Sequence, residues 1–117
     1  MKQIATSGVN KIDIFKVKKG TKMNIEHIIN SNSGTFNLVE KDEIIGELTY
    51  FSPENEMHVM FINHTWVNPD KRGKGIAEKL VLEAIEYAIE NNLKIKPTCS
   101  YVVYYFKRHP KYADLVV

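Results

Sequence analysis

The stretch that decides the fold runs from residue 57 to residue 90 and reads MHVMFINHTWVNPDKRGKGIAEKLVLEAIEYAIE. Its first part, Met57 to Val67, carries apolar side chains on both faces, which predicts a central strand covered on both sides. From about Gly75 to Glu90 the apolar residues recur at helical spacing, which predicts an amphipathic helix. The members of that apolar stripe are Ala77, Leu80, Val81, Ala84, Ile85, Ala88 and Ile89.

Strict alternation along the predicted strand would divide its side chains between two faces. One face would carry Met57, Val59, Phe61, Asn63, Thr65 and Val67, and the other His58, Met60, Ile62, His64 and Trp66.

A hairpin is predicted ahead of this unit. Residues 35–40 alternate in the manner of a strand, and residues 43–51 form a second apolar segment. The polar residues 41–43 between them predict a hairpin turn. Residues 52–56 include a proline that would end the second strand.

A shorter strand and a second helix are predicted behind it. Residues 93–99 read as a strand in which Pro97 implies a sheet edge or a bulge. Ser100 is a candidate N-cap for an aromatic helix that ends at His109-Pro110. This order predicts a mixed α/β (α+β) domain, with a mostly antiparallel sheet, one right-handed strand–helix–strand crossover and a C-terminal helix.

The composition is typical of one globular domain. The chain has 117 residues, of which 44% are hydrophobic and 26% are charged. Cys99 is the only cysteine, which excludes an internal disulfide, and we expect a cytoplasmic location and no metal. The apolar runs are far shorter than the ~18 residues of a membrane-spanning helix, so we expect no membrane partner.

The charge is divided unevenly along the chain. Residues 1–23 contain six lysines and one aspartate, whereas residues 24–117 contain ten basic and thirteen acidic residues. We therefore expect a basic leader over 1–23 that lies outside the native fold, and a mildly acidic domain over 24–117. One hypothesis is that the native chain starts at Met23. The acidic domain argues against a nucleic-acid partner, which would require a basic face on the fold itself.

A glycine loop opens the predicted helix. Residues 72–77 read RGKGIA, and the lysines Lys71 and Lys79 lie beside them. Two glycines permit a tight turn, and the first turn of a helix offers unpaired N–H donors and a partial positive charge. Such a loop suits phosphate or pyrophosphate, although a plain helix-entry turn is the alternative. The spacing fits neither the P-loop nor the dinucleotide fingerprint.

Several motifs in order give the chain a resemblance to a known superfamily. Arg72-x-x-Gly75-x-Ala77 after a long strand resembles the acetyl-CoA motif of the GNAT N-acetyltransferases. Residues 64–67 (HTWV) and 97–101 (PTCSY) are similar to those of one subgroup, the small single-domain GNAT-like proteins. The resemblance runs from about residue 25 to the C-terminus.

The resemblance implies a minimal GNAT-like fold that uses acetyl-CoA as co-substrate. The glycine loop would hold the pyrophosphate of CoA, and the pantetheine arm would lie along the strand that ends at Val67. This strand and the one at 93–99 would splay apart around the thioester. The expected acetyl-CoA-binding residues are Thr65, Trp66, Val67, Arg72, Gly73, Lys74, Gly75, Ile76, Ala77 and Lys79.

Cys99 and His64 are the candidate catalytic residues, one on each of the two strands expected to splay. His64 could act as a general base, and Cys99 as a nucleophile or as the acid that protonates the leaving thiolate. The alternatives are a small buried cysteine and a hydrogen-bonded core histidine. Tyrosines 101, 104 and 105 are candidates for a general acid or for core packing.

Two functions follow from these features. The first is an N-acetyltransferase that transfers an acetyl group from acetyl-CoA to an unidentified amine. The alternative is a CoA-binding module with little or no catalysis, because the subgroup lacks the N-terminal helices that form an acceptor pocket. We expect a monomer or a weak homodimer.

Overall fold

The computed structural model describes residues 3–4, 11–12 and 23–117. Within them, the short strands β1 (Gln3–Ile4) and β2 (Lys11–Ile12) pair antiparallel as a separate two-stranded sheet. Most of the predicted basic leader therefore falls outside the described residues.

The main sheet has five strands in the order β3-β4-β5-β6-β7. The strands are β3 (Met23–Ile29), β4 (Ser33–Glu40), β5 (Glu43–Phe51), β6 (Val59–Val67) and β7 (Lys94–Pro97), and the helices are α1 (Ile76–Glu90) and α2 (Ser100–Arg108). Neighbouring strands are antiparallel except β6 and β7, which are parallel and joined through α1. The structure confirms the predicted fold class.

Several predicted boundaries move by a few residues. Strand β6 begins at Val59 rather than Met57, because residues 54–56 form a 3₁₀ turn behind Pro53. Ser100 is the first residue of α2, and Cys99 occupies the N-cap position that was predicted for Ser100. Strand β3 was not predicted, since its short alternating segment follows directly on the lysine-rich region.

The predicted edge and turn are confirmed. Pro97 is the last residue of β7, the edge strand, where a missing N–H costs no sheet hydrogen bond. Lys41 and Asp42 connect β4 to β5 with φ values of 52° and 65°. Positive φ at both central residues is the requirement of a two-residue type I′ hairpin turn.

A β-bulge at Asn63 changes the predicted faces of β6. Thr49 of β5 pairs with His64, whereas Tyr50 pairs with Ile62, so Asn63 is one extra residue in β6. Because side chains alternate between the two faces of a strand, one extra residue moves every later side chain of β6 to the opposite face. Thr65 therefore shares the helix-covered face with Ile62, and the predicted division of side chains is wrong beyond this point.

The far face of β6 is open in its second half, which corrects the prediction of cover on both sides. Trp66 is 40% exposed, and the side chain of His64 is 52% exposed. Nearer the start of the strand, Phe61 on this face contacts Phe51 of β5, with ring centroids 5.2 Å apart. We call this surface the open face.

The core lies between the sheet and the two helices. The Tyr105 hydroxyl of α2 donates a hydrogen bond to Glu78 Oε2 of α1 at 3.4 Å. Fully buried side chains of this core include Phe36, Leu38, Leu48, Met60, Ile62, Leu80, Val81, Ile95 and Val102. None of the described helices is long and apolar enough to cross a membrane.

Replacing Gly34 by alanine should destabilise the fold by about 1–3 kcal/mol, the usual cost of overpacking. A Cβ atom at Gly34 would lie 2.2 Å from the hydroxyl of Tyr50, its cross-strand partner. That hydroxyl is also hydrogen-bonded to Nε2 of the buried His27 at 2.7 Å, so the ring is held in place. Urea denaturation measures the loss. A Gly34→Ala, Tyr50→Leu double variant whose loss in the free energy of unfolding equals the sum of the two single losses would contradict the steric explanation.

Candidate active site

Strands β6 and β7 separate after a short parallel pairing. The paired register ends at Ile62 and Pro97. There the backbone N–H groups of Thr98 and Cys99 both donate to the Ile62 carbonyl, at 3.0 Å and 3.2 Å, and the chain turns into α2. The β7-facing edge of residues 63–67 consequently has no strand partner in the described part of the chain. We call this opening the gap.

A cavity of about 480 Å³ lies beside the gap, where β6 ends and α1 begins. It is lined by Thr65, Trp66, Val67, Lys71, Arg72, Gly73, Gly75, Ile76, Ala77, Glu78 and Tyr101. The structure thus brings together most of the residues predicted to bind acetyl-CoA. Lys74 and Lys79, which were predicted with them, do not line the cavity.

The glycine loop presents backbone donors to this cavity. Gly73 and Gly75 have φ values of 82° and 74°, which glycine adopts without steric cost. Gly75 is the N-cap of α1 and provides no capping side chain, so the first N–H groups of the helix are not covered by one. Together with the helix dipole these groups form an anion-binding site.

An ion pair ties the loop to the β4–β5 hairpin. Lys71 Nζ lies 2.9 Å from Glu40 Oε1. The hydrogen bond from Lys71 lowers the pKa of the Glu40 carboxyl, and the same contact raises the pKa of Lys71. Because Lys71 is already paired with Glu40, Arg72 is the better candidate for binding an incoming anion in the cavity.

Cys99 lies at the N-terminus of α2, next to the gap. Its Sγ lies 3.4 Å from Thr65 Oγ1. Burial raises the pKa of the Cys99 thiol, but hydrogen bonds from the Thr65 hydroxyl and from the backbone N–H groups of Val102 and Tyr101 outweigh it, so that the pKa is lowered. The thiolate is therefore formed more readily than in an unperturbed cysteine, as is usual at a helix N-terminus. Cys99 is half-buried and hydrogen-bonded, not a simple apolar core residue.

Replacing Thr65 by valine should raise the pKa of Cys99, because the thiolate loses a side-chain donor. One hydrogen bond corresponds to a shift of up to about one pH unit. The rate of alkylation by iodoacetamide follows the thiolate, so its pH profile should move upward. Thr49→Val is the matched control, since Thr49 donates to Asn63 instead. An unchanged profile in Thr65→Val would contradict the assigned role of this hydroxyl.

His64 lies on the other side of the gap. Its Nε2 is 3.5 Å from Glu47 Oε1 on the open face, and its side chain is 52% exposed. The alternative of a buried core histidine is therefore wrong. Since Thr65 faces Cys99, the adjacent His64 faces away from it, and the two candidate catalytic residues flank the gap from opposite faces. The role of Glu47 was not predicted, because only the strand register brings it to His64.

The tyrosines of α2 differ in their surroundings. Tyr101 lines the cavity, and its pKa is raised by burial and by Glu78. Burial and Glu78 also raise the pKa of Tyr105 to about 12. Tyr105 stacks on His109 with ring centroids 4.0 Å apart, which favours the packing role. Tyr104 is exposed and accepts a hydrogen bond from Arg108.

No group of His, Cys, Asp and Glu side chains among the described residues could hold a metal ion. Carboxylates lie near both parts of the site instead: Glu47 beside His64, and Glu78 beside the tyrosines of α2.

The chain is similar to a family of acyl-transferring proteins. The family model described as GCN5-related N-acetyl-transferase matches residues 35–115, well over half of the chain. The chain belongs to this family.

Curated relatives include proteins named NATD1. The human protein is 36% identical over 52 residues, which cover 44% of this chain and 46% of the relative. The Xenopus tropicalis protein is 39% identical over 49 residues, which cover 42% of this chain and 45% of the relative. The chain thus matches about half the length of these relatives.

Solved structures share the fold. A GCN5-like protein from Staphylococcus aureus matches with a TM-score of 0.61 and 26% identity, over 84% of this chain and 91% of that one. A ribosomal-protein-alanine N-acetyltransferase from Brucella melitensis has a TM-score of 0.55 and 20% identity, over 75% of this chain and 64% of that one. A streptothricin acetyltransferase candidate from Bacillus anthracis was solved with acetyl coenzyme A. It has a TM-score of 0.50 and 23% identity, over 58% of this chain and 39% of that one.

Proposed function

We propose that this protein is an N-acetyltransferase that transfers an acetyl group from acetyl-CoA to an amine. The observation that carries the proposal is the cavity over the glycine loop, which opens beside Cys99 at the gap between β6 and β7. Family membership supports the reaction class. The Pro97-x-Cys99-Ser100-Tyr101 motif supports, as part of the proposal, membership of the small single-domain subgroup.

Acetyl-CoA fits the residues around the cavity. The pyrophosphate would accept hydrogen bonds from the N–H groups of residues 73–77 and from Arg72. The pantetheine amides would pair with the open edge of residues 63–67, as an added strand does. Its thioester would then reach the gap, with the Cys99 thiol on one side and the His64 imidazole on the other.

The lowered pKa of Cys99 favours the nucleophilic role. The Cys99 thiolate attacks the thioester carbonyl carbon, the carbon–sulfur bond to CoA breaks, and CoA leaves as a thiolate. An amine then attacks the acetyl-cysteine carbonyl, His64 accepts the proton that the nitrogen loses, and the Cys99 thiolate is released. Backbone N–H groups at the gap would stabilise the negative oxygen in both steps.

Two measurements test this function in order. Calorimetric titration with acetyl-CoA should show saturable binding, and an Arg72→Gln variant should bind more weakly than wild type. Lys79→Gln is the matched control, because Lys79 does not line the cavity. Absence of binding at millimolar acetyl-CoA would contradict the proposal.

Intact mass spectrometry then separates the chemical alternatives. Brief incubation with acetyl-CoA should add one acetyl group at Cys99, which an amine removes. Direct transfer, with Cys99 as the acid for the leaving thiolate, gives amine acetylation without acetyl-Cys99. Binding without any transfer to a panel of amines would favour the CoA-binding module.

We also propose residues 24–117 as the unit that carries this function. The main sheet begins at Met23, next to the change in charge at residue 23. Limited proteolysis of the full chain should release this unit with its acetyl-CoA binding intact. The N-terminal mass of the native protein tests the start at Met23, and a chain that begins at Met1 would contradict it.

A further inference from the structure

A row of polar and aromatic side chains crosses four strands on the sheet face opposite the helices. Asn37 of β4 pairs with Glu26 of β3 on one side and with Glu47 of β5 on the other. Glu47 in turn pairs with Trp66 of β6. Cross-strand partners share a face of the sheet, so these four side chains form a line that runs from β3 to β6. We call this line the acidic row.

Two carboxylates dominate the acidic row, and its only donors are the Asn37 amide N–H groups and the Trp66 indole N–H. Asn37 is 5% exposed, and its side-chain oxygen has no hydrogen-bond partner among the described residues. The carboxylates of Glu26 and Glu47 on either side of it accept hydrogen bonds but donate none. Strands β3 to β6 contain no lysine or arginine, and Lys94 and Lys96 lie on β7 opposite Val59 and Phe61. A buried acceptor without a donor costs free energy, which a donor-rich ligand would recover.

The row ends at the gap. Trp66 is 40% exposed at the β6 end of the row, and His64 lies two residues before it on the same face. Glu47 Oε1 already lies 3.5 Å from His64 Nε2. An indole face attracts a cation, and the tryptophan here lies beside a carboxylate. A cationic group held between Glu47 and Trp66 would therefore be next to the atoms that react.

We propose that the acceptor is an aliphatic diamine or polyamine, whose second ammonium group binds the acidic row. This inference rests on the proposed acetyltransferase function. The reacting nitrogen lies at the gap beside His64, and the second nitrogen lies between Glu47 and Trp66. Neighbouring strands are ~4.8 Å apart, which is about the separation of two nitrogens joined by a short alkyl chain. A longer polyamine reaches Asn37 and Glu26 with a third nitrogen, and each ammonium group supplies up to three donors.

Binding can be measured without activity. Trp66 is the only tryptophan of the chain, so in the absence of acetyl-CoA its selectively excited fluorescence reports on ligands that bind at this end of the acidic row. The full chain is titrated with spermidine, 1,4-diaminobutane and n-butylamine at fixed ionic strength. We expect spermidine and diaminobutane to bind at least about tenfold more tightly than butylamine, the ratio expected from one additional charge-assisted contact.

Matched variants assign the effect to the row. Glu47→Gln keeps the shape of a half-exposed side chain and should remove most of the preference for the diamine. Glu26→Gln should weaken the binding of spermidine but not that of diaminobutane, because only the longer amine reaches β3. Glu54→Gln, in the exposed turn behind Pro53, is the control and should leave all three affinities unchanged.

Kinetics separate this inference from the function on which it rests. With acetyl-CoA, kcat/KM for diaminobutane should exceed that for butylamine, and Glu47→Gln should bring the two values together. Acetylation of both amines with equal kcat/KM and equal fluorescence titrations would overturn the diamine site and leave the acetyltransferase standing. Tight binding of spermidine without acetylation of any amine would overturn the acetyltransferase instead, and with it the role of spermidine as acceptor.

Discussion

Replacing Cys99 by alanine is expected to remove acetyl transfer while leaving acetyl-CoA binding intact. The loss in kcat/KM should be about 10²- to 10⁴-fold if Cys99 only transfers a proton. It should be larger, with no acetylated protein in the mass spectrum, if Cys99 is the nucleophile. The thiol contacts Thr65 and the first N–H groups of α2, and not the glycine loop, so the anion site should be unaffected.

The variant should fold normally, which makes the loss interpretable. Cys99 is the N-cap of α2, but a thiol is a weak acceptor, so its removal should cost the helix little stability. Circular dichroism and calorimetry with acetyl-CoA are the controls. Cys99→Ser separates the two roles further, because a serine hydroxyl is far less acidic than the thiol. Full turnover in both variants would exclude Cys99 from the chemistry.

Replacing Leu80 by alanine is expected to cost about 2–5 kcal/mol of stability, the range for a large apolar side chain removed from a core. Leu80 is completely buried, and its Cδ1 lies 3.1 Å from the position of a Cβ on Gly46. Gly46 therefore allows α1 to approach β5 closely, and Leu80 fills the space at that contact. The deletion leaves a cavity that a helix so close to the sheet can close only in part.

The same helix provides a matched control. Leu82 is two residues away and 41% exposed, so Leu82→Ala removes the same atoms from a position that faces solvent. It should change stability by no more than about 0.5 kcal/mol. Denaturant titration of both variants measures the difference, which also tests the packing of α1 on the sheet. Equal losses in the two variants would contradict the assignment of the buried face.

Local patterns were sufficient to predict most elements. The stripe that includes Leu80 and Ala84 predicts α1 because a helix buries every third or fourth residue, and the structure confirms it over Ile76–Glu90. The polar residues 41–43 predict the hairpin turn, and the structure forms it from Lys41 and Asp42 alone. Strand β3 was missed, because it is defined by its pairing with β4, and the residues of its own short segment do not reveal that pairing.

The glycine loop of the candidate site was predictable from the sequence, but the sheet face on which each β6 side chain lies was not. Gly73 and Gly75 indicate an anion loop by residue type, and both adopt the positive φ that the prediction required. His64 was assigned to the same face as Ile62 by alternation, and the bulge at Asn63 overturns this. The bulge depends on how β5 pairs with β6, which alternation along one strand does not reveal.

By itself, the sequence determined the strand–loop–helix unit and the family, because helical periodicity, glycine conformations and turn residues act over a few neighbours. Only the tertiary structure decided which side of the sheet each side chain faces. One extra residue in β6 turns Thr65 toward Cys99, 34 positions along the chain, and turns His64 toward Glu47 on the open face. Such contacts depend on strand register and on the crossover through α1, which the whole fold fixes at once.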